Sequence, residues 1–193
     1  MEKELKRTFE ELALSYDEHI YENVFSTKNN KTLAETLSHR RYQSLKVATE
    51  KKYARSLNMP LGSFILMLKQ NGDNFYKRFL NKYGDAIYSR FWLTHSQDYM
   101  KKGVYFYRLN SNIVYVGRCK DNMKNRINSG YGKVTPKNCF KDGQSTNCRL
   151  NALITKEKNM VSLQLYALDD DLEIEEFEKN LIRELDPIWN IQK

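Results

Sequence analysis

Two short tyrosine-rich runs contain the first residues whose type and spacing could support chemistry. VYFYRL (104–109) and IVYVGR (113–118) are rich in β-branched and aromatic residues, as strands commonly are. The segment Asn110-Ser111-Asn112 lies between them and predicts a β-hairpin with a three-residue loop. In that register Leu109 faces Ile113.

The same register brings four residues to one face of the hairpin, because side chains alternate along a strand. These residues are Tyr105, Tyr107, Tyr115 and Gly117. Tyr105 and Tyr115 become diagonal neighbours, and the glycine leaves open space beside them. Taken alone, paired aromatics on a hairpin are more often an ordinary core, and a glycine in a strand is often a bulge.

Arg126 lies in RCKDNMKNR (118–126), directly after the hairpin. Asp121 or Asn122 is suited to begin a helix, which would place Arg126 one turn in. From there its guanidinium could lean over the hairpin face and bind a phosphate through two hydrogen bonds. The alternative is a surface arginine among surface lysines, which is the commoner case for a single residue.

Glu178 interrupts an apolar stripe on the last predicted helix. Its apolar neighbours at helical spacing are Ile174, Ile182 and Leu185. A carboxylate on a core face costs several kcal/mol unless a cation compensates it. A divalent metal with a phosphate is one such partner, and a buried arginine is the other. Pro187 then ends the helix, and Asn190 is either a turn residue or an amide oriented at a site.

The elements that must position these residues form a recognisable order. After Gly103 the chain predicts strand, strand, helix from Asp121, helix from about Ser145, strand over 161–168, and helix from about Leu172. That order indicates a small α+β domain over 101–193, with a mainly antiparallel three-stranded sheet flanked by helices.

Residues 1–100 read as a helical N-terminal region. Residues 3–22 carry Leu5, Phe9, Leu12, Tyr16 and Ile20 at steps of three and four, which predicts an amphipathic helix. Further helices are predicted over 31–57, 63–70 and 74–83, and 86–100 suits either strand or helix. A domain boundary is expected near residue 100.

Charge is unevenly distributed along the chain, whose net charge is +8. Residues 101–160 hold thirteen Lys or Arg against three Asp or Glu, a net of +10, whereas 161–193 carry a net of −6. A basic block of this kind favours a polyanionic partner, although lysine-rich solvated surfaces are also common. The candidate DNA contacts in it are Arg118, Lys120, Lys124, Lys133 and Arg149.

Composition excludes several classes of protein. No apolar run is long enough to cross a bilayer, and the N-terminus lacks the apolar core of a signal peptide, so we expect a cytoplasmic protein without membrane contact. The cysteines, Cys119, Cys139 and Cys148, contain no CxxC pair. Neither a disulfide framework nor a zinc site is therefore expected.

Taken together, these motifs resemble the GIY-YIG nuclease superfamily, in particular its restriction and phage endonucleases. The resemblance rests on GVY at 103–105, YVG at 115–117, Arg126, Glu178 in EKNLIRELDPIWN, and Asn190. It covers about 101–193, and the ten residues between the two motif tyrosines match the usual spacing.

The resemblance implies a role for each matching position. Tyr105 would act as a base or orient the attacking water, with Tyr115 in the same hydrogen-bonding group. Arg126 would stabilise charge on the scissile phosphate, and Asn190 would support the site. Glu178 would be the single protein ligand of Mg²⁺, for which Mn²⁺ can substitute. Many relatives carry a histidine four residues after the arginine, where this chain has Gly130 followed by Tyr131.

The resemblance implies a metal-dependent endonuclease acting on double-stranded DNA, and we expect a site-specific type II restriction enzyme. One site cuts one strand, so cutting both implies a homodimer. Residues 1–100 would supply DNA contacts, the dimer interface or both: the candidates are the apolar faces of 5–20 and 64–68, and Arg40, Arg41, Lys51 and Lys52. The alternatives are a phage or mobile-element enzyme, a DNA-binding protein with a degenerate nuclease domain, and an RNA-binding protein.

Overall fold

A computed structural model describes residues 9–28 and 31–191 of the chain. The chain forms two compact units, and each is assembled from separated segments. The sheet unit comprises Met1–Glu18, Arg90–Lys133 and Leu153–Lys193, and the helical unit comprises His19–Ser89 and Val134–Ala152. The boundary expected near residue 100 therefore falls inside the sheet unit.

The main sheet has four antiparallel strands in the order β1-β6-β4-β5. A separate two-stranded sheet pairs β2 with β3. The α+β class and the antiparallel pairing are as predicted. The main sheet has four strands rather than the predicted three, because β1 pairs with β6. The strands are β1 (Glu10–Leu12), β2 (Leu14–Tyr21), β3 (Tyr88–Leu93), β4 (Gly103–Leu109), β5 (Asn112–Cys119) and β6 (Val161–Ala167).

The helix predicted over 3–22 is wrong in the part that the structure describes, where β1 and β2 occur. Leu5 and the other residues before Phe9 lie outside the described part. Leu12, Leu14 and Tyr16 also alternate with a period of two, and short apolar runs fit both periods. Pairing of Leu12 with Leu163 decides between them, because it buries Leu12 in the sheet.

The hairpin places Tyr105 opposite Gly117 and Tyr107 opposite Tyr115, as predicted. The predicted Leu109–Ile113 pair is wrong, because Leu109 pairs with Asn112 across a two-residue turn. A bulge at Val114 takes up the difference of one residue, so the tyrosine register survives the shorter turn.

The described residues form the α-helices α1 (Leu33–Leu37), α2 (Gln43–Tyr53), α3 (Leu61–Gln70), α4 (Pro136–Cys139), α5 (Ser145–Lys156) and α6 (Asp171–Leu185). The helix predicted over 31–57 is two helices separated by a 3-10 turn, and the one predicted over 74–83 is a 3-10 helix, Asn74–Phe79. The helix expected after Asp121 is a π-helix, Asn125–Tyr131. None of the helices in the described part of the chain is long and apolar enough to cross a membrane.

The sheet unit buries different residues on the two faces of β4. Val104 and Phe106 pack with Val116 and Ile174 in an apolar cluster to which α6 contributes. Tyr105 and Tyr107 point to the opposite face, since neighbouring side chains of a strand alternate. The helical unit has its own core around Phe25, Tyr42, Phe64 and Phe79.

The position of β1 gives a first testable prediction. Leu12 is 2 % exposed, whereas Leu172, on the first turn of α6, is 74 % exposed. We expect Leu12→Ala to lower the free energy of unfolding by about 2–5 kcal/mol through the lost contacts and the cavity left behind. Leu172→Ala is the control and should change it by less than about 0.5 kcal/mol. Equal losses of unfolding free energy for the two variants in urea titrations would contradict the burial of Leu12.

Candidate active site

Four tyrosines meet on the face of the hairpin opposite α6. Tyr105, Tyr107 and Tyr115 come from the strands, and Tyr131 comes from the end of the π-helix. The hydroxyl of Tyr131 lies 2.8 Å from that of Tyr105 and 3.4 Å from that of Tyr115. Tyr131 therefore joins the two motif tyrosines in one hydrogen-bonded group, which we call the tyrosine cluster together with Tyr107.

The π-helix explains why sequence reasoning did not select Tyr131. Hydrogen bonds in a π-helix span five residues, as from the Gly132 N–H to the Ile127 carbonyl at 2.7 Å. The residue five positions after Arg126 therefore takes the place that the fourth would hold in an α-helix. That residue is Tyr131, not Gly130. The available signal was a tyrosine directly after the glycine.

Gly117 makes room for the tyrosine cluster. A Cβ atom at this position would lie 2.5 Å from the Tyr105 hydroxyl and 2.7 Å from a ring carbon of Tyr115. Both rings are buried, so neither has free space into which to move. The absence of a side chain at Gly117 is therefore a steric requirement of the cluster rather than a bulge.

Burial determines the protonation of these phenols. It raises the pKa of Tyr105 and of Tyr107 well above the usual value for tyrosine, and the neighbouring Tyr131 raises both further. Both groups are therefore neutral phenols at neutral pH. A neutral phenol can donate and accept hydrogen bonds but is a poor base, so the geometry favours the orienting role for Tyr105 over the basic one.

Arg126 links the cluster electrostatically to Glu178. Its charge lowers the pKa of Tyr105, against the larger effect of burial, and also lowers the pKa of Glu178. The Arg126 residue is nevertheless exposed, and the described residues include no carboxylate bonded to it. Its guanidinium is thus placed to meet an anionic ligand beside the tyrosines.

Glu178, on α6, forms an ion pair with Arg118, on β5. Its Oε2 accepts a hydrogen bond from Arg118 Nη1 at 2.6 Å, and its side chain is 14 % exposed. An arginine was one of the two partners expected for this carboxylate, but Arg118 is 37 % exposed rather than buried. Burial raises the pKa of Glu178, and Arg118 opposes that effect. Arg118 also lies 3.8 Å from Glu175, which binds Lys120 at 2.6 Å.

Asn190 bonds to the backbone of β5. Its Oδ1 accepts from the Val116 N–H and its Nδ2 donates to the Val116 carbonyl, each at 2.9 Å. The neighbouring Trp189 N–H donates to the Val114 carbonyl at 2.8 Å. The amide thus covers part of the edge of β5 next to Gly117, and it supports the site without facing it.

The five expected DNA contacts are placed differently from one another. Arg118 and Lys120 are held by carboxylates of α6, whereas Lys124 and Lys133 are exposed. Arg149 is 5 % exposed and belongs to the helical unit. Its burial leaves little surface for a phosphate, so its position argues against direct contact with DNA.

The described residues contain no group of three or more His, Cys, Asp or Glu side chains that could hold a metal ion. A divalent ion at Glu178 would take most of its ligands from water or substrate, as Mg²⁺ commonly does.

The chain matches no protein-family model, no curated protein and no solved structure.

The steric role of Gly117 can be tested directly. Gly117→Ala should lower the free energy of unfolding by about 1–3 kcal/mol and change the near-ultraviolet circular dichroism of the tyrosines, because the added methyl displaces Tyr105. Gly130→Ala is the matched control, since its Cβ would meet only the Asn125 carbonyl oxygen, at 3.3 Å. If both variants kept the wild-type spectrum and stability, the close packing around Gly117 would be refuted.

Proposed function

We propose that the chain is a metal-dependent DNA endonuclease whose active site lies on the sheet unit. The observation that carries the proposal is the hydrogen-bonded group of Tyr105, Tyr115 and Tyr131 in electrostatic contact with Arg126, which also acts on Glu178. Hydrolysis of a phosphodiester needs an oriented water, a cation on the nonbridging oxygens and a stabilised leaving oxygen. The site supplies groups suited to the first two.

The chain's own residues would divide the work as follows. The neutral phenols of Tyr105 and Tyr115 orient the attacking water, with Tyr131 holding both hydroxyls in place. The Arg126 guanidinium binds the nonbridging oxygens and stabilises the charge that develops there.

Glu178 fits Mg²⁺ as a lone carboxylate. A bound Mg²⁺ would lower the pKa of a water ligand and neutralise charge on the phosphate. Burial raises the pKa of Glu178, and Arg118 opposes that rise, which favours the ionised form that a metal ion would need. Because burial raises that pKa overall, the ionised form, and with it metal binding, would be lost on acidification at a higher pH than for an exposed carboxylate.

We further propose the type II restriction class, with a homodimer cutting both strands of duplex DNA in the cytoplasm. The likeness of the motifs to GIY-YIG restriction and phage enzymes supports this assignment. A phage or mobile-element nuclease is the alternative. Purified protein incubated with plasmid and Mg²⁺ separates them: discrete fragments with uniform ends support restriction, and a smear or single nicks oppose it.

The role of Glu178 leads to a prediction about metal-dependent cutting. Glu178→Gln keeps the size of the side chain but removes its charge, so cleavage in Mg²⁺ should fall about 10³-fold or more while duplex binding in EDTA persists. Glu184→Gln, an exposed site on the same helix, should cleave like the wild type. A Glu178→Gln protein that cuts at the wild-type rate would rule out the metal site.

Arg126 provides an independent prediction. Arg126→Ala should reduce kcat by about 10²–10³-fold, because one preorganised cationic donor at a transition state has that effect. Arg183→Ala is the control, since Arg183 is an exposed arginine of the sheet unit outside the expected DNA contacts, bonded to Asn180. Comparable losses in single-turnover cleavage would show that general basicity matters, not the position of Arg126.

A further inference from the structure

The charge of the chain is concentrated in the helical unit. That unit holds fifteen Lys or Arg against six Asp or Glu, a net of +9, while the sheet unit holds seventeen against eighteen, a net of −1. The basic block at 101–160 is divided between the two units, because residues 134–152 belong to the helical unit. The tyrosine cluster therefore lies in the unit with the weaker attraction for a polyanion.

Several cations of the sheet unit are also neutralised locally. Lys101 binds Asp98 at 2.8 Å, and Lys102 lies 3.5 Å from Asp171. Arg118 and Lys120 bind Glu178 and Glu175, as described above. Such cations add little to the long-range attraction of a DNA backbone, since each is paired with a carboxylate.

The helical unit carries a surface on which cations lie over aromatic rings. Tyr53, at the end of α2, stacks on Phe75 with ring centroids 5.5 Å apart and 30° between the planes. The Lys52 ammonium lies 5.0 Å from the Tyr53 ring, and the Arg78 guanidinium lies 5.5 Å from the Phe75 ring. Asp73 holds Tyr53 and Lys52 in place, because its carboxylate accepts hydrogen bonds from the Tyr53 hydroxyl and the Lys52 ammonium.

Exposed cations without a carboxylate partner among the described residues are found along the same segments. They are Lys51, Arg55, Lys77 and Arg78. Lys51 and Arg55 flank Tyr53 in sequence, and Lys77 and Arg78 follow Phe75. Half-buried rings hold Lys52 and Arg78 close to the protein, which reduces the conformational entropy that a phosphate contact would cost.

We infer that the exposed cations of these two segments of the helical unit, Lys51, Arg55, Lys77 and Arg78, bind the phosphate backbone of duplex DNA. The inference rests on the proposed function for the choice of DNA as the polyanion. Four unpaired cations on one unit suit contact with successive phosphates, and no base-specific contact is needed for it. DNA would thus be held mainly by the helical unit and cut by residues of the sheet unit.

The test measures binding without cleavage, using the full-length Glu178→Gln protein, EDTA and a fluorescent duplex of mixed sequence. Lys51, Arg55, Lys77 and Arg78 are together replaced by Gln. We expect the affinity at low salt to fall at least about 100-fold, and the slope of log K against log salt to become shallower by about 3–4, as for four lost phosphate contacts. Circular dichroism confirms that the variant is folded.

The matched control removes the same four charges from the sheet unit, by Gln substitutions at Lys156, Lys158, Lys179 and Arg183. It should change the slope by less than about 1. An equal loss in the control, an unchanged slope in the test variant, tighter binding to duplex RNA, or no DNA binding by the parent protein would each overturn the inference. Binding as expected with a wild-type protein that never cuts would refute the proposed function alone.

Discussion

The pairing of Tyr105 with Gly117 is the constraint on which the rest of the candidate site depends. Only a residue without a side chain leaves room at that position for two buried phenol rings. A slip of one residue in the register would turn the tyrosines to the face that packs with α6. The bulge at Val114 preserves the pairing, and the bonds from Asn190 to Val116 cover the neighbouring strand edge.

A second constraint is the cost of a carboxylate on the packed face of α6. Glu178 is tolerated because Arg118 bonds to it and Arg126 adds a further positive charge. The same two cations lower the pKa of the carboxylate, while burial raises it by more. Positive charge beside Glu178 therefore serves both the stability of the fold and the proposed catalytic role of this carboxylate.

On the proposed function, the catalytic groups and most of the phosphate-binding cations belong to different units. The tyrosine cluster, Arg126 and Glu178 belong to a unit with almost no net charge, whereas most of the positive charge belongs to the helical unit. Phenols and a raised carboxyl pKa require burial, while attraction of a polyanion requires exposed, unpaired cations. These environments are difficult to combine on one surface, so we infer that this chain uses two.

The sequence by itself determined the two strands of the hairpin, the common face of their tyrosines and the apolar stripe around Glu178, because these depend on local periodicity. It did not determine the two-residue turn or the bulge at Val114. It did not determine whether 10–21 is helix or strand, since Leu12 and Tyr16 fit both periods; the pairing of β1 with β6 and of β2 with β3 decides. Arg118 as partner of Glu178 and Tyr131 as part of the cluster depend on contacts 60 and 26 residues apart in the chain. Only the tertiary structure selects such contacts, because local spacing carries no information about which distant side chains share a buried space.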